Sequence, residues 1–111
     1  MAAEGPRNYP RFALDAPVRA AVDSVFPRFE FNGRVRDLGG GGLGAWLTGE
    51  IPEGTPVTLE VFFRWGSLRL PGVVVWKRPL DGDVLHGFRF DVPIGNGHAR
   101  ELFEEVTGGS I

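Results

Sequence analysis

With 111 residues, no cysteine and a formal net charge of -2 at pH 7, the chain has room for one core, offers neither disulfides nor cysteine metal ligands, and lacks the positive field of a DNA- or RNA-binding protein. A hydrophobic fraction of 42% suffices for a globular core, and 17 glycines with 9 prolines favour turns and short strands over long helices. No apolar run approaches the roughly 20 residues that cross a bilayer, and the first residues lack the basic and apolar regions of a secretion signal, so no membrane insertion and a cytoplasmic location are the expectations.

In chain order, residues 1–15 show no hydrophobic period and contain Gly5, Pro6 and Pro10, which predicts a flexible arm. Within it Arg7 and Arg11 stand four residues apart, and Pro10 disfavours helix at Tyr9. The main domain is expected over residues 16–107. Val18, Ala20 and Val22 alternate with Arg19, Ala21 and Asp23 as in a first strand. Phe29, Phe31 and Val35 predict a second, with Asn32 and Gly33 as a turn or bulge inside it. The run Gly39, Gly40, Gly41, Gly42 must interrupt regular structure, and residues 43–47 resume as a short strand.

After a turn at Pro52, Glu53 and Gly54, residues 56–65 alternate clearly, with Val57, Leu59 and Val61 on one face. A turn at Gly66 and Ser67 leads into a strand over residues 68–77, expected to break at Pro71 and Gly72. Asp81, Gly82 and Asp83 turn the chain into a last strand over residues 84–91. Only Ala99, Leu102, Phe103 and Val106 follow a helical spacing, which Gly108 and Gly109 end, leaving residues 108–111 as a tail. Six short-linked strands and one terminal helix make an all-β fold: a small antiparallel barrel, closed so that its apolar strands have no free edge, with the helix over an opening or side.

Charge is unevenly spread. Through Arg36 the chain has six arginines (Arg7, Arg11, Arg19, Arg28, Arg34, Arg36) against Glu4, Asp15, Asp23 and Glu30, so a small anion would prefer this segment. Arginine suits such a role because its planar fork donates bidentately and stacks on flat rings. Asp37 opens the glycine run. Gly39, Gly41 and Gly44 formally satisfy a GxGxxG pattern, but no helix follows to meet a pyrophosphate and no lysine serves a phosphate loop. The glycines then mark a flexible hairpin or a place where backbone comes close to a ligand, and Asp37 can accept from the N1–H and N2–H₂ edge of a guanine. Arg89, between Phe88 and Phe90, faces away from the core, towards solvent or a site. His86 and His98 are the only histidines, and no serine–histidine–acid or metal-ligand spacing exists, so neither an enzyme nor a metal site is expected.

Arg7 and Arg11 in an arm, Asp37 to Gly42 as a (D/N)xSxxG-like turn, Gly72 to Trp76 as G-x-V-x-W and Gly87 to Phe90 as G-x-x-F together resemble the PilZ domain family, in this order along nearly the whole chain. The resemblance implies a six-stranded barrel that binds cyclic di-GMP as its ligand, without a cofactor, and acts on a protein partner that the sequence does not identify. It further implies that Arg7 and Arg11 contact guanine and phosphate, that Asp37 accepts from the guanine edge, and that Gly42 is the motif glycine, with Arg89 as a secondary contact. One departure stands out: Gly39 occupies the motif serine position, losing a hydroxyl hydrogen bond of about 1 kcal/mol and making the turn costlier to order. The alternative is a degenerate PilZ adaptor that no longer binds the nucleotide.

Overall fold

The computed structural model describes residues 11–107. Its elements follow as β1 (Arg11–Ala13), β2 (Pro17–Val22), β3 (Phe29–Gly39), β4 (Gly42–Leu47), β5 (Pro56–Phe63), β6 (Gly66–Leu80), β7 (Asp83–Phe90) and α1 (Asn96–Thr107). Six of the strands close an antiparallel barrel in the order β3-β2-β5-β6-β7-β4, with β4 returning to β3. Closure gives every one of the six a partner on both edges, which removes the unpaired ladder that apolar strands would otherwise expose. β1 lies outside the ring, end to end with β2 along one edge of β3: Arg11 pairs with Gly39 and Ala13 with Asp37, whereas Pro17 pairs with Arg34. The all-β barrel with a terminal helix is thus the architecture found.

Alternation sets the inward faces. Val57, Leu59 and Val61 of β5 are buried with Val18 and Ala20 of β2, Leu43 and Leu47 of β4, and Phe88 and Phe90 of β7. Each large apolar side chain so buried contributes roughly 1.5–3 kcal/mol. α1 adds buried Ala99 and Leu102, and Phe103 stacks on Phe12 of β1 with ring centroids 5.2 Å apart. Gly95, at φ 89, makes the turn into the helix, and its carbonyl accepts the Ala99 N–H at 3.1 Å.

Three local expectations change. Asn32 and Gly33 form neither turn nor bulge: β3 runs straight through them, and Gly33 pairs with Val18 on one side and Leu47 on the other. Glycine is needed there for closeness, since a Cβ would collide with the Trp46 carbonyl oxygen. The irregularity in β3 falls instead between Val35 and Asp37. Likewise β6 continues through Pro71 and Gly72, and its register shift lies between Val74 and Trp76. The Pro71 carbonyl still accepts a hydrogen bond, from Asp91 N–H at 2.9 Å, so the missing donor of proline does not end the ladder. Finally, residues 11–13 of the segment expected as an arm form β1, while residues 1–10, including Arg7, and the tail at 108–111 lie outside the described residues. We expect Gly33→Ala to destabilise the barrel by about 1–3 kcal/mol through overpacking, seen as a fall of several degrees in Tm; an unchanged Tm would show that β4 yields freely at Trp46.

His86 is the one buried polar side chain among the described residues. Its Nε2 accepts the Ile51 N–H at 3.0 Å, which leaves Nδ1–H to donate to the Val84 carbonyl at 3.1 Å, so the neutral Nδ1–H tautomer is the one that satisfies both. Burial pushes its pKa below the ordinary histidine value. The ring ties the β4–β5 connection to β7 and belongs to the core.

Candidate functional site

β3 alternates in and out until its register shift. Val35 is buried and Arg36 exposed, but Asp37 then also projects outwards before Leu38 returns to the core. Bulges re-aim side chains in this way, and this one sets two consecutive side chains on the outer face. Arg36 can therefore close on its own neighbour: its Nε and Nη2 donate to Asp37 Oδ2 at 3.1 and 2.9 Å.

Asp37 gathers more than Arg36. Arg11 Nη1, arriving from β1, donates to Oδ1 at 2.8 Å, and the Gly44 backbone N–H donates to the same oxygen at 3.1 Å. Four N–H groups thus occupy a carboxylate that has about four lone-pair sites. Gly44 allows the arrangement, because a Cβ there would stand 2.9 Å from Oδ1 and 3.5 Å from Arg36 Nη2.

The glycine turn adjoins this cluster. β3 ends at Gly39, β4 starts at Gly42, and Gly40 and Gly41 alone connect them. Gly39 is buried and pairs across the ladder with Arg11. Gly42 is also buried, and a Cβ on it would collide with the Phe88 carbonyl oxygen, so β4 and β7 approach closely here. The turn carbonyls are spoken for: Gly40 O accepts the N–H groups of Ile94 at 2.7 Å and Gly95 at 3.3 Å, and Gly41 O accepts Phe90 N–H at 2.8 Å. Those bonds link the turn to the segment that leads into α1.

On β7, Arg89 is exposed and pairs with Gly42 across the ladder, and among the described residues it forms no ion pair. Gly44 pairs with Gly87, and the Trp76 indole lies against the Cα of Gly87, where a Cβ would strike it. The outer face therefore runs from the Asp37 cluster across two glycines to a half-buried indole.

Of the residues expected at a site, the structure brings Arg11, Asp37, Gly39 and Gly42 together, with Arg89 one strand away from the turn; Arg7 is outside the described residues. Arg36 and Gly44 also meet at Asp37 and Trp76 lies across the sheet against Gly87, although the motifs that contain Gly44 and Trp76 give them no ligand role. Strict alternation assigns Arg36 to the face opposite Asp37, and only the bulge overturns that. No group of histidine, aspartate and glutamate suited to a metal ion occurs among the described residues, nor does any helix there have the length and apolarity to cross a membrane.

The PilZ domain family model matches residues 6–108. Among solved structures, the PilZ domain of Escherichia coli YcgR with c-di-GMP superposes with a TM-score of 0.67 at 21% identity, covering 93% of this chain and 92% of that one. Bacillus subtilis MotI/DgrA, an inhibitor of motility, gives 0.66 at 14% identity over 92% of this chain and 50% of its own. The PilZ domain of CeSA from a cellulose-synthesizing bacterium gives 0.58 at 19% identity over 89% and 96%. At such identities the structural likenesses establish the fold alone. A search of curated protein sequences finds no match. The family model, by contrast, spans nearly the whole chain, and on that ground the chain belongs to the PilZ domain family.

Proposed function

We propose that this domain is a non-catalytic receptor for cyclic di-GMP, bound where β1 crosses the glycine turn. The observation that carries the reading is the Arg11–Asp37 contact, 2.8 Å long, which seats an arm arginine directly beside the turn at Gly39–Gly42. Arg11 on β1 and Arg7 ahead of it close on guanine and phosphate, the two groups that a planar guanidinium fork recognises best. Asp37, Gly39 and Gly42 form the bed, and Arg89 stands at its rim. Membership in the family, and the c-di-GMP bound in the solved structure of the YcgR domain, support the choice of ligand.

Binding must alter a surface to signal. Phe12, next to Arg11, stacks on Phe103 of α1, and the Gly40 carbonyl holds Ile94 and Gly95 just before that helix. Movement of the arm or of the turn is therefore transmitted to α1, and a cytoplasmic bacterial protein partner, in motility or biofilm control, would sense it. The second reading, an adaptor without nucleotide, is motivated by Gly39 in the serine position.

Titration calorimetry with cyclic di-GMP decides between them. We expect saturable binding by the wild-type domain, and a gain of about fivefold in Gly39→Ser from one restored hydrogen bond of about 1 kcal/mol. Saturating ligand that produces neither heat nor protection of residues 1–15 from protease ends the receptor reading in favour of the adaptor.

A further inference from the structure

Phe26 finds no cover on its own barrel. It sits in the connection between β2 and β3, 99% exposed, with Val25 at 44% and Phe29, the first residue of β3, at 56%. Three apolar side chains at one hairpin end make a knuckle of the kind that marks an interaction surface. The acids beside it are already held: Asp23 by Arg28 Nε at 3.2 Å and Thr58 Oγ1 at 3.0 Å, and Glu30 by Arg28 Nη2 at 3.1 Å. Arg28 Nη1 is left for a further acceptor.

Farther along β3, a groove of about 570 Å³ opens between that strand and the β6–β7 turn, with Trp46, Leu47 and Leu80 in its mainly apolar wall. Leu80 is 42% exposed there. Asp81 at φ 47 and Gly82 at φ 92 make the two-residue hairpin turn that fixes Leu80 and Asp83 at the rim. Arg34 on the opposite wall is neutralised by Asp15 at 2.6 Å. Asp81 and Asp83, by contrast, form no ion pair among the described residues. Such a groove suits an apolar side chain with a cation close behind it, and Phe26 followed by Arg28 has that form.

We infer that the domain self-associates as a two-fold dimer in which the knuckle of each copy enters the groove of the other, Phe26 against Trp46 and Leu80, and Arg28 beside Asp81 and Asp83. From Phe29 to Gly33 the strand rises roughly 14 Å, so the knuckle does not fill the groove of its own chain. A two-fold axis crossing β3 between them makes both contacts at once and closes the assembly, whereas a single contact repeated head to tail would leave it open-ended. Two such small patches predict a weak dimer, with Kd on the order of 10 μM. The inference goes beyond the receptor reading and does not depend on it, since the knuckle precedes β3 and the glycine turn follows it.

Sedimentation equilibrium of the full 111-residue chain tests the dimer. Phe26→Ser, at a side chain open to solvent, is expected to keep the Tm of the wild type and to raise the dimer Kd at least about tenfold. Leu80→Arg should do the same by setting a cation against Arg28. In an equimolar mixture of the two variants, the intact knuckle of one meets the intact groove of the other. The mixed dimer is therefore expected to be tighter than either variant alone, as coupling between touching residues requires. If the mixed dimer is no tighter than both, Phe26 does not enter this groove and the inference is wrong. A wild type that stays monomeric at about 1 mM, roughly a hundredfold above the expected Kd, also overturns it. Should that monomer pellet with phosphatidylcholine vesicles while Phe26→Ser does not, the knuckle belongs to a lipid surface instead.

Discussion

Arg11→Ala is expected to weaken cyclic di-GMP binding by about 1–3 kcal/mol, a five- to 150-fold rise in Kd, while leaving the fold nearly as stable as before. The asymmetry follows from where the guanidinium sits. Its side chain is 30% exposed, and the pair it makes with Asp37 bridges two strands at the barrel surface, where such contacts contribute about 0.2–1 kcal/mol. Asp37 keeps Arg36 and the Gly44 N–H when Arg11 is gone, so no carboxylate is left unpaired. A ligand, however, loses a directed, charge-assisted donor. Calorimetry beside thermal denaturation measures the two effects separately. A variant that binds within twofold of wild type would show that β1 is a structural strand and not part of the site.

The largest loss of stability is expected at His86, far from that cluster in function though on the strand next to β4. Removing the ring in His86→Ala opens a cavity in the core and strands the Ile51 N–H and the Val84 carbonyl, at a cost of about 2–5 kcal/mol in urea denaturation. His86→Gln restores an acceptor and should recover part of this. The residue also gives the fold a pH dependence of definite sign. Burial, the main cause, lowers the folded pKa below the value in the unfolded chain, so the unfolded state binds more protons in the interval between them. The stabilisation is therefore complete above the ordinary histidine value of about 6.5 and declines as pH falls below it towards the folded pKa. Protonation at Nε2 would replace the acceptor for Ile51 with a second donor facing it. Denaturant titrations at pH 8 and pH 5.5 should show lower stability at the lower pH in the wild type and a reduced difference in His86→Gln. Equal pH differences in the two proteins would remove His86 as the cause.

How far the site is legible in the sequence differs from residue to residue. Asp37 and the glycine turn stand out because four consecutive glycines have no role inside a strand, and the structure does use two of them, Gly40 and Gly41, as the whole connection between β3 and β4. Arg11 stands out by its spacing from Arg7, although only Arg11 falls among the described residues, and there it belongs to a strand. Arg36 escapes notice because alternation is a local rule, and a bulge depends on how the partner strand is registered, which a single segment does not encode. Gly33 misleads for a related reason: glycine in a strand suggests a turn from inside the segment, whereas here it answers to the backbone of Trp46 on another strand.

Alternation of small and branched apolar side chains along β2 and β5, glycine and proline between segments, and a single helical period near the end were enough to establish a chain of short strands with one helix, since each depends on neighbours within a few residues. The same local information includes the absence of cysteine and the excess of arginine near the start. Tertiary structure decided what lies across the sheet: the pairing of Arg11 with Gly39, the shift that turns Arg36 beside Asp37, and the burial of His86 between Ile51 and Val84. These bring together residues 26, 28 or 35 positions apart. Their meeting is set by strand register and barrel closure, which emerge only when all six strands pack at once.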